Sequence, residues 1–329
     1  MIEELVPVRI LAGVAGRSLA LMAGMVSGTV DSLNSRRAKI LADRGVTGAT
    51  PIQPVVLGVS GGAVGAAAAA LGMSRTRLRQ IAVDHPASEV VGNRSFHAML
   101  TKRTLYPDAR LRELAHAVVG DRTFADFVLE PNLARRQPSG IASSLIIPVY
   151  SGEHGTLFLP QDLPKLGLTD MPVADALVAA TRIPGAFPAA TALDHIFDGG
   201  THHRVPYEVF ESHPALVLDL YGPEPHYSRG GLLLPLAHSS LPMIPRRTRP
   251  FRDKNLCART IFAELPYGSA LRSPTRSPEE LFDHGYDIAA TWIDTRTTDQ
   301  LLAVVDPDVL GEPMPVSPAD DAVALGARQ

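Results

Sequence analysis

The sequence predicts an α/β protein with a mostly parallel central sheet covered by helices, and three stretches of its first half lead there. An apolar run, Val8 to Ala12, ends in Gly13-Val14-Ala15-Gly16 and is followed by the proline-free stretch Arg17 to Arg44, which reads as one long helix. The order repeats at Val55 to Val59 and Ser60 to Gly72, where an apolar run meets a serine-glycine turn and then a stretch of small residues. A third apolar run, Leu145 to Tyr150, supplies a further strand. Strands that alternate with helices are returned to the same end of a sheet each time, so neighbours run parallel.

The later elements follow in order. Met73 to Gly120 is polar and helical in texture, and within it Leu111, Leu114, Ala115 and Val118 share one face of a helix from Asp108 to Val119. Helices are expected at Val173 to Thr181, Pro206 to Ser212, Asn255 to Leu265 and Pro278 to Thr291. Strands are expected at His195 to Phe197, Ala215 to Leu220 and Leu301 to Val305. The span 222–254 is rich in proline, glycine and arginine without periodicity, the texture of a lid or mobile loop. Its basic cluster, Arg246, Arg247, Arg249, Arg252 and Lys254 beside Leu241, Met243 and Ile244, suits an anionic lipid surface and equally a solvated loop. The domain is expected to cover 1–310, and 311–329 to form a poorly ordered tail.

Composition narrows the function. With 329 residues, 45% of them hydrophobic and 20% charged, one large core can be buried. A net charge of −3 gives no basic field, so no nucleic-acid partner is expected. The single cysteine, Cys257, leaves no intramolecular disulfide and no cysteine-built zinc site, and fits a reducing compartment. The eleven histidines show no H-E-x-x-H or similar ligand spacing, so neither metal nor cofactor is expected. Glu3 and Glu4 stand where a secretory signal would be positive, and the uncharged stretch Ser18 to Val30 is too short to span a bilayer. The expectation is a cytoplasmic protein whose only lipid contact would be peripheral; its oligomeric state is left open.

The chemistry centres on Ser60. Gly58-Val59-Ser60-Gly61-Gly62 is a G-x-S-x-G pattern in the context that such a pattern needs, a strand before and a helix after. The tight turn holds the serine in a strained conformation and leaves no room for neighbouring side chains. Its hydroxyl is thereby presented at the positive end of the following helix. A serine needs a base and a stabiliser of the oxyanion before it is a useful nucleophile. Only one strand-helix unit fits before Ser60, which argues against the usual α/β-hydrolase order, where several strands precede the nucleophile. A carboxylate stands at the end of a probable strand in Phe197-Asp198-Gly199-Gly200, although Asp-Gly is also a common turn pair.

Together these segments resemble the patatin-like phospholipase family. The likeness rests on Ala12-Gly13-Val14-Ala15-Gly16-Arg17-Ser18, on the elbow Gly58 to Gly62, and on Asp198-Gly199-Gly200 with Pro206 behind it. Ala174 to Pro188, Asp121 to Phe127 and Glu279 to Tyr286 agree in order, so the resemblance runs from about Val8 to about Trp292. It implies a three-layer α/β fold and a Ser60–Asp198 dyad with no catalytic histidine. It also implies an acyl-serine intermediate, a lipid or other acyl-ester substrate, and an oxyanion held by the backbone of Gly13, Val14, Ala15 and Gly16. Gly61, Gly199 and Gly200 would support these groups, and Arg17 would shape the loop; the competing reading of Arg17 is a surface salt bridge with no part in the site.

Two departures bear on activity. Val14 and Ala15 stand where the family usually has glycine, and side chains restrict positive φ, so fewer or differently aimed N–H groups are expected from this loop. His202 and His203 precede Pro206 in place of the family's asparagine-containing stretch, and a Ser–Asp–His triad would suit that order. The same residues would also suit acyl transfer to an alcohol or amine, or an inactive lipid-binding protein on the same fold.

Overall fold

Val6–Ala12 is seven buried residues long, and a strand buried on both faces needs such a continuous apolar run. It forms β1 at the centre of a seven-stranded sheet in a computed structural model that describes residues 6–48, 51–90, 108–138, 140–183, 196–211, 213–221, 254–264 and 276–311. β2 (Ile52–Gly58) pairs with β1 in parallel from Val6 opposite Ile52 to Ala12 opposite Gly58. β3 (Leu145–Ser151), β4 (Gly155–Leu159), β5 (Ile196–Asp198), β6 (Leu216–Tyr221) and β7 (Thr260–Glu264) complete the sheet in the order β4-β3-β2-β1-β6-β7, with β5 attached to β3.

Side chains alternate between two layers. Val8, Ile10, Ala12 and Val56 face one apolar cluster. It is formed with α1 (Leu19–Asp43), α2 (Gly62–Ala70), α3 (Arg75–Asp84), α5 (Ala109–Val119), α7 (Val173–Ala180) and α9 (Pro278–Asp294). A short helix, α4 (Ala87–Val90), lies between α3 and α5 in sequence. Leu11, Val55, Leu57 and Val59 face the other cluster, which is covered by shorter pieces: α6 (Pro131–Ala134), a 3₁₀ turn over Tyr207–Phe210 and α8 (Lys254–Ala258). The result is a three-layer α/β fold with a mostly parallel sheet.

Two strands break the parallel rule, and they shape the site. β3 pairs with β2 only at Leu145 and Ile146, and from Ile147 its outer edge pairs with β4 in antiparallel fashion. On the edge that β2 has left, Val149 to Ser151 pair with β5 running backwards, Val149 opposite Asp198. A strand has two edges, so β5 fills the gap that opens between β3 and the end of β2. Asp198 thereby comes to stand beside the turn that carries Ser60.

Most expected elements are found with ends moved by a few residues, and three are not as expected. The helix over Asn255 to Leu265 stops at Ala258, because Thr260-Ile261-Phe262-Ala263 extends alongside β6, Val217 opposite Thr260. β-branched and aromatic residues fit that pleated edge better than a helix. The strand over Leu301 to Val305 is instead the end of α10 (Thr298–Leu302). Its start is fixed by a capping box in which Thr297 and Gln300 exchange bonds. Where a helix was expected from Pro206, Tyr207–Phe210 forms one 3₁₀ turn, and β4 was not expected at all. The supposed lid lies outside the described residues up to 253, as do Pro184 to His195 and the tail from 312 onward.

Candidate active site

The elbow is held by packing that only hydrogen atoms permit. A side-chain carbon on Gly62 would lie 2.3 Å from Gly13 O and 2.6 Å from Ala12 O, and one on Gly58 would lie 2.4 Å from Ala63 Cα. The turn is closed by Gly62 N–H to Val59 O (2.8 Å) and Ala63 N–H to Ser60 O (2.9 Å). Val59 N–H donates to Ala12 O at 2.8 Å and fastens the turn to β1. Ser60 takes φ 54°, a left-handed backbone that a serine adopts only when its surroundings over-determine it. It stands just before Gly61, the residue that caps α2, where the helix dipole favours negative charge.

Ser60 and Asp198 are brought into direct contact. Ser60 Oγ donates to Asp198 Oδ2 at 2.6 Å across 138 positions of sequence. The other carboxylate oxygen, Oδ1, accepts Gly200 N–H at 2.7 Å, and Thr201 Oγ1 donates to Asp198 O at 2.6 Å. Asp198 N–H donates to Arg182 O at 2.9 Å, so the residue is fixed through its side chain and both backbone groups. Only 2% of Asp198 and 5% of Ser60 is exposed. Burial pushes the Asp198 carboxyl up to about 7, against the bonds from Ser60 and Gly200, which favour the ionised form. Gly199 lies so close to β3 that a Cβ would meet Pro148 O at 2.6 Å.

The loop after β1 packs on both members of the pair. A Cβ on Gly61 would come within 3.1 Å of Ala15 Cβ and 3.2 Å of Gly16 N, and one on Gly200 within 2.7 Å of Val14 Cγ2 and 3.1 Å of Val59 Cγ1. The loop does not ask for positive φ at Val14 or Ala15: Ser60 and Glu211 are the only non-glycine residues with positive φ among those described. Gly16 takes φ 54°, where the residue is a glycine. Gly13 departs from its expected part. Its N–H donates to Leu218 O at 2.8 Å and continues the β1–β6 ladder. Arg17 is half-buried where the loop leads into α1.

The neighbouring histidines are engaged elsewhere. His202 stacks on Tyr150 with ring centres 4.7 Å apart, and His203 Nε2 lies 3.5 Å from Glu208 Oε1. No histidine stands between Ser60 and Asp198, whose side chains bond directly. One ion pair to a buried carboxylate is not foreseen from the sequence: Arg204, itself partly exposed, donates from Nη2 to Asp219 Oδ1 at 2.8 Å and also to Leu220 O. A signal for it exists, since Asp219 is the one charge within the apolar run Ala215 to Leu220.

The family model of the patatin-like phospholipases matches residues 51–211. Over that span, just under half of the chain, the sequence is similar to a patatin-like phospholipase domain. The matched span holds Ser60 and Asp198 and begins after β1 and its loop, so the resemblance of Gly13 to Gly16 rests on sequence and geometry alone. None of the curated proteins matches the chain. A patatin-like domain supports lipid acyl hydrolysis in general. Among the described residues, no helix is long and apolar enough to cross a membrane, and no group of three or more His, Cys, Asp or Glu is arranged to hold a metal ion.

Proposed function

We propose that the protein is a serine acyl-ester hydrolase that acts on phospholipid or another lipid ester through Ser60 and Asp198. The observation that carries this is the 2.6 Å bond from Ser60 Oγ to a carboxylate that is almost wholly buried. Asp198 accepts the proton as Ser60 Oγ attacks the ester carbonyl, and returns it to the departing alcohol as the acyl-serine forms. Water, deprotonated by Asp198, then attacks the acyl-serine, and Ser60 recovers its proton. The charge on the carbonyl oxygen falls beside the amides of Val14 and Ala15 and the start of α2. With a carboxyl held near 7, the base is matched to neutral pH, which an ordinary aspartate is not.

Exposure of the protein to a fluorophosphonate, followed by peptide mapping, tests the role of Ser60. Wild type is expected to be labelled at Ser60 and to hydrolyse a p-nitrophenyl ester. Ser60→Ala should lose both, and Asp198→Ala should lose turnover. A folded Asp198→Ala that retains turnover would overturn the dyad, and a folded wild type that is inert to probe and ester would favour a binding protein.

A further inference from the structure

We propose that Arg204 is a positioning residue for this reaction: it ties the turn that carries Asp198 to the strand end that anchors the 13–16 loop, and so holds base and oxyanion donors in register. Its role rests on the Ser60–Asp198 reaction proposed above. The geometry converges on three consecutive residues of β6. Leu218 O accepts Gly13 N–H at 2.8 Å, and a Cβ on Gly13 would lie 2.9 Å from that same oxygen and 3.2 Å from Asp219 Oδ1. Arg204 reaches the same residues, with Nη2 on Asp219 Oδ1 and Leu220 O. Between Asp198 and Arg204 the chain makes one 3₁₀ turn, Gly199–Thr201, fastened by Thr201 Oγ1 to Asp198 O and by His203 N–H to Gly199 O at 2.9 Å. A shift of Arg204 is thereby passed to the turn of Asp198 over a short and stiff path.

The cost of the arrangement points the same way. Asp219 is 2% exposed within a strand that is otherwise apolar, and for stability alone an apolar residue of similar volume serves such a position as well or better. What the ion pair adds is a defined distance between two loops. Arginine suits that task because one guanidinium can satisfy a carboxylate and a carbonyl in a fixed geometry, whereas a lysine offers a single mobile ammonium.

The test compares wild type, Ser60→Ala, Arg204→Lys and Arg204→Met in the full chain. Hydrolysis of p-nitrophenyl butyrate and the rate of fluorophosphonate labelling are followed across pH, with circular dichroism as the control for folding. Arg204→Met is expected to lower kcat about 10- to 100-fold, up to the roughly 100-fold that a displacement of about 1 Å at a reacting centre can cost. KM should stay within about twofold, as for a loss confined to the transition state. The pH midpoint should not move, because Asp198 stays buried and keeps Gly200 N–H. Arg204→Lys keeps the charge opposite Asp219 and should recover thermal stability while its kcat remains several-fold low. Wild-type kcat in a folded Arg204→Met, or a loss expressed only in KM, would overturn the proposal. If Arg204→Met does not fold, wild-type kcat in Arg204→Lys does so. A wild type that is folded but neither labelled at Ser60 nor active overturns the dyad and this role together, whereas active wild type with equally active Arg204 variants overturns this role alone.

Discussion

Asp198 is the residue on which burial acts most strongly. Its carboxyl is raised from an ordinary 3.8 to about 7, chiefly by burial, so below neutrality it holds the proton it would have to accept from Ser60. The rate of ester hydrolysis is therefore expected to rise with pH to a plateau with a midpoint near 7, and a pH profile of kcat/KM checks it. Stability runs in the opposite sense. The folded state binds this proton more tightly than the unfolded chain, so the contribution is complete below the ordinary value and is lost as pH rises to about 7. Thermal melts across that window should show wild type losing stability with rising pH relative to Asp198→Asn, in which the titrating group is gone. A wild-type slope equal to that of Asp198→Asn would contradict the raised value.

At the scale of elements, close approach between backbones does most of the positioning. Adding one methyl at Gly62→Ala puts a carbon 2.3 Å from Gly13 O, so the elbow and the loop after β1 cannot both keep their places. Labelling of Ser60 is expected to fall at least 10-fold in the soluble fraction of that variant, in keeping with the sensitivity of such sites to small displacements. α1 and α9 use the same device farther out. Carbons added at Gly24 or Gly285 would lie 2.0 Å from Phe282 O or 2.1 Å from Leu21 O, so Gly24→Ala is expected to lower stability by about 1–3 kcal/mol in urea unfolding, as overpacking does.

These elements also show what could be read from sequence. The glycines around Ser60, the alternation of apolar runs and the aspartate at a strand end are local signals, and each marks its own position. Pairing between distant segments is not local. Nothing in Ile196-Phe197-Asp198 says that it runs backwards beside β3, and nothing in Gly13 says that its N–H is taken by Leu218. The helix expected through Thr260 failed for the same reason, since the neighbouring strand β6 decided what those residues became.

Across the whole molecule, the two faces of the sheet are treated differently. Among the described residues, one carries the long helices, and the other carries short helices, a 3₁₀ turn and a buried cation. Arg9 is 1% exposed and points among Gln137 Oε1 (2.9 Å), Arg136 O (2.5 Å) and Asp306 Oδ2 (3.1 Å), joining β1 to a turn after α6 and to the segment after α10. Asp306→Ala removes the carboxylate from this buried cation and is expected to cost about 3–5 kcal/mol in denaturant unfolding. The double variant Arg9→Met with Asp306→Leu should cost less than that single change, because no lone charge is left inside.

The bond from Gly13 N–H to Leu218 O joins residues roughly 200 positions apart, a contact that the chain can form only late. During synthesis, a growing chain that has emerged only as far as β5 already possesses Ser60 and Asp198, but not the strand on which the loop opposite them is hung. On the proposed mechanism, hydrolytic competence would thus arrive with the last third of the polypeptide, and a ribosome-bound or truncated product would carry Ser60 and Asp198 without the strand that anchors the loop opposite them.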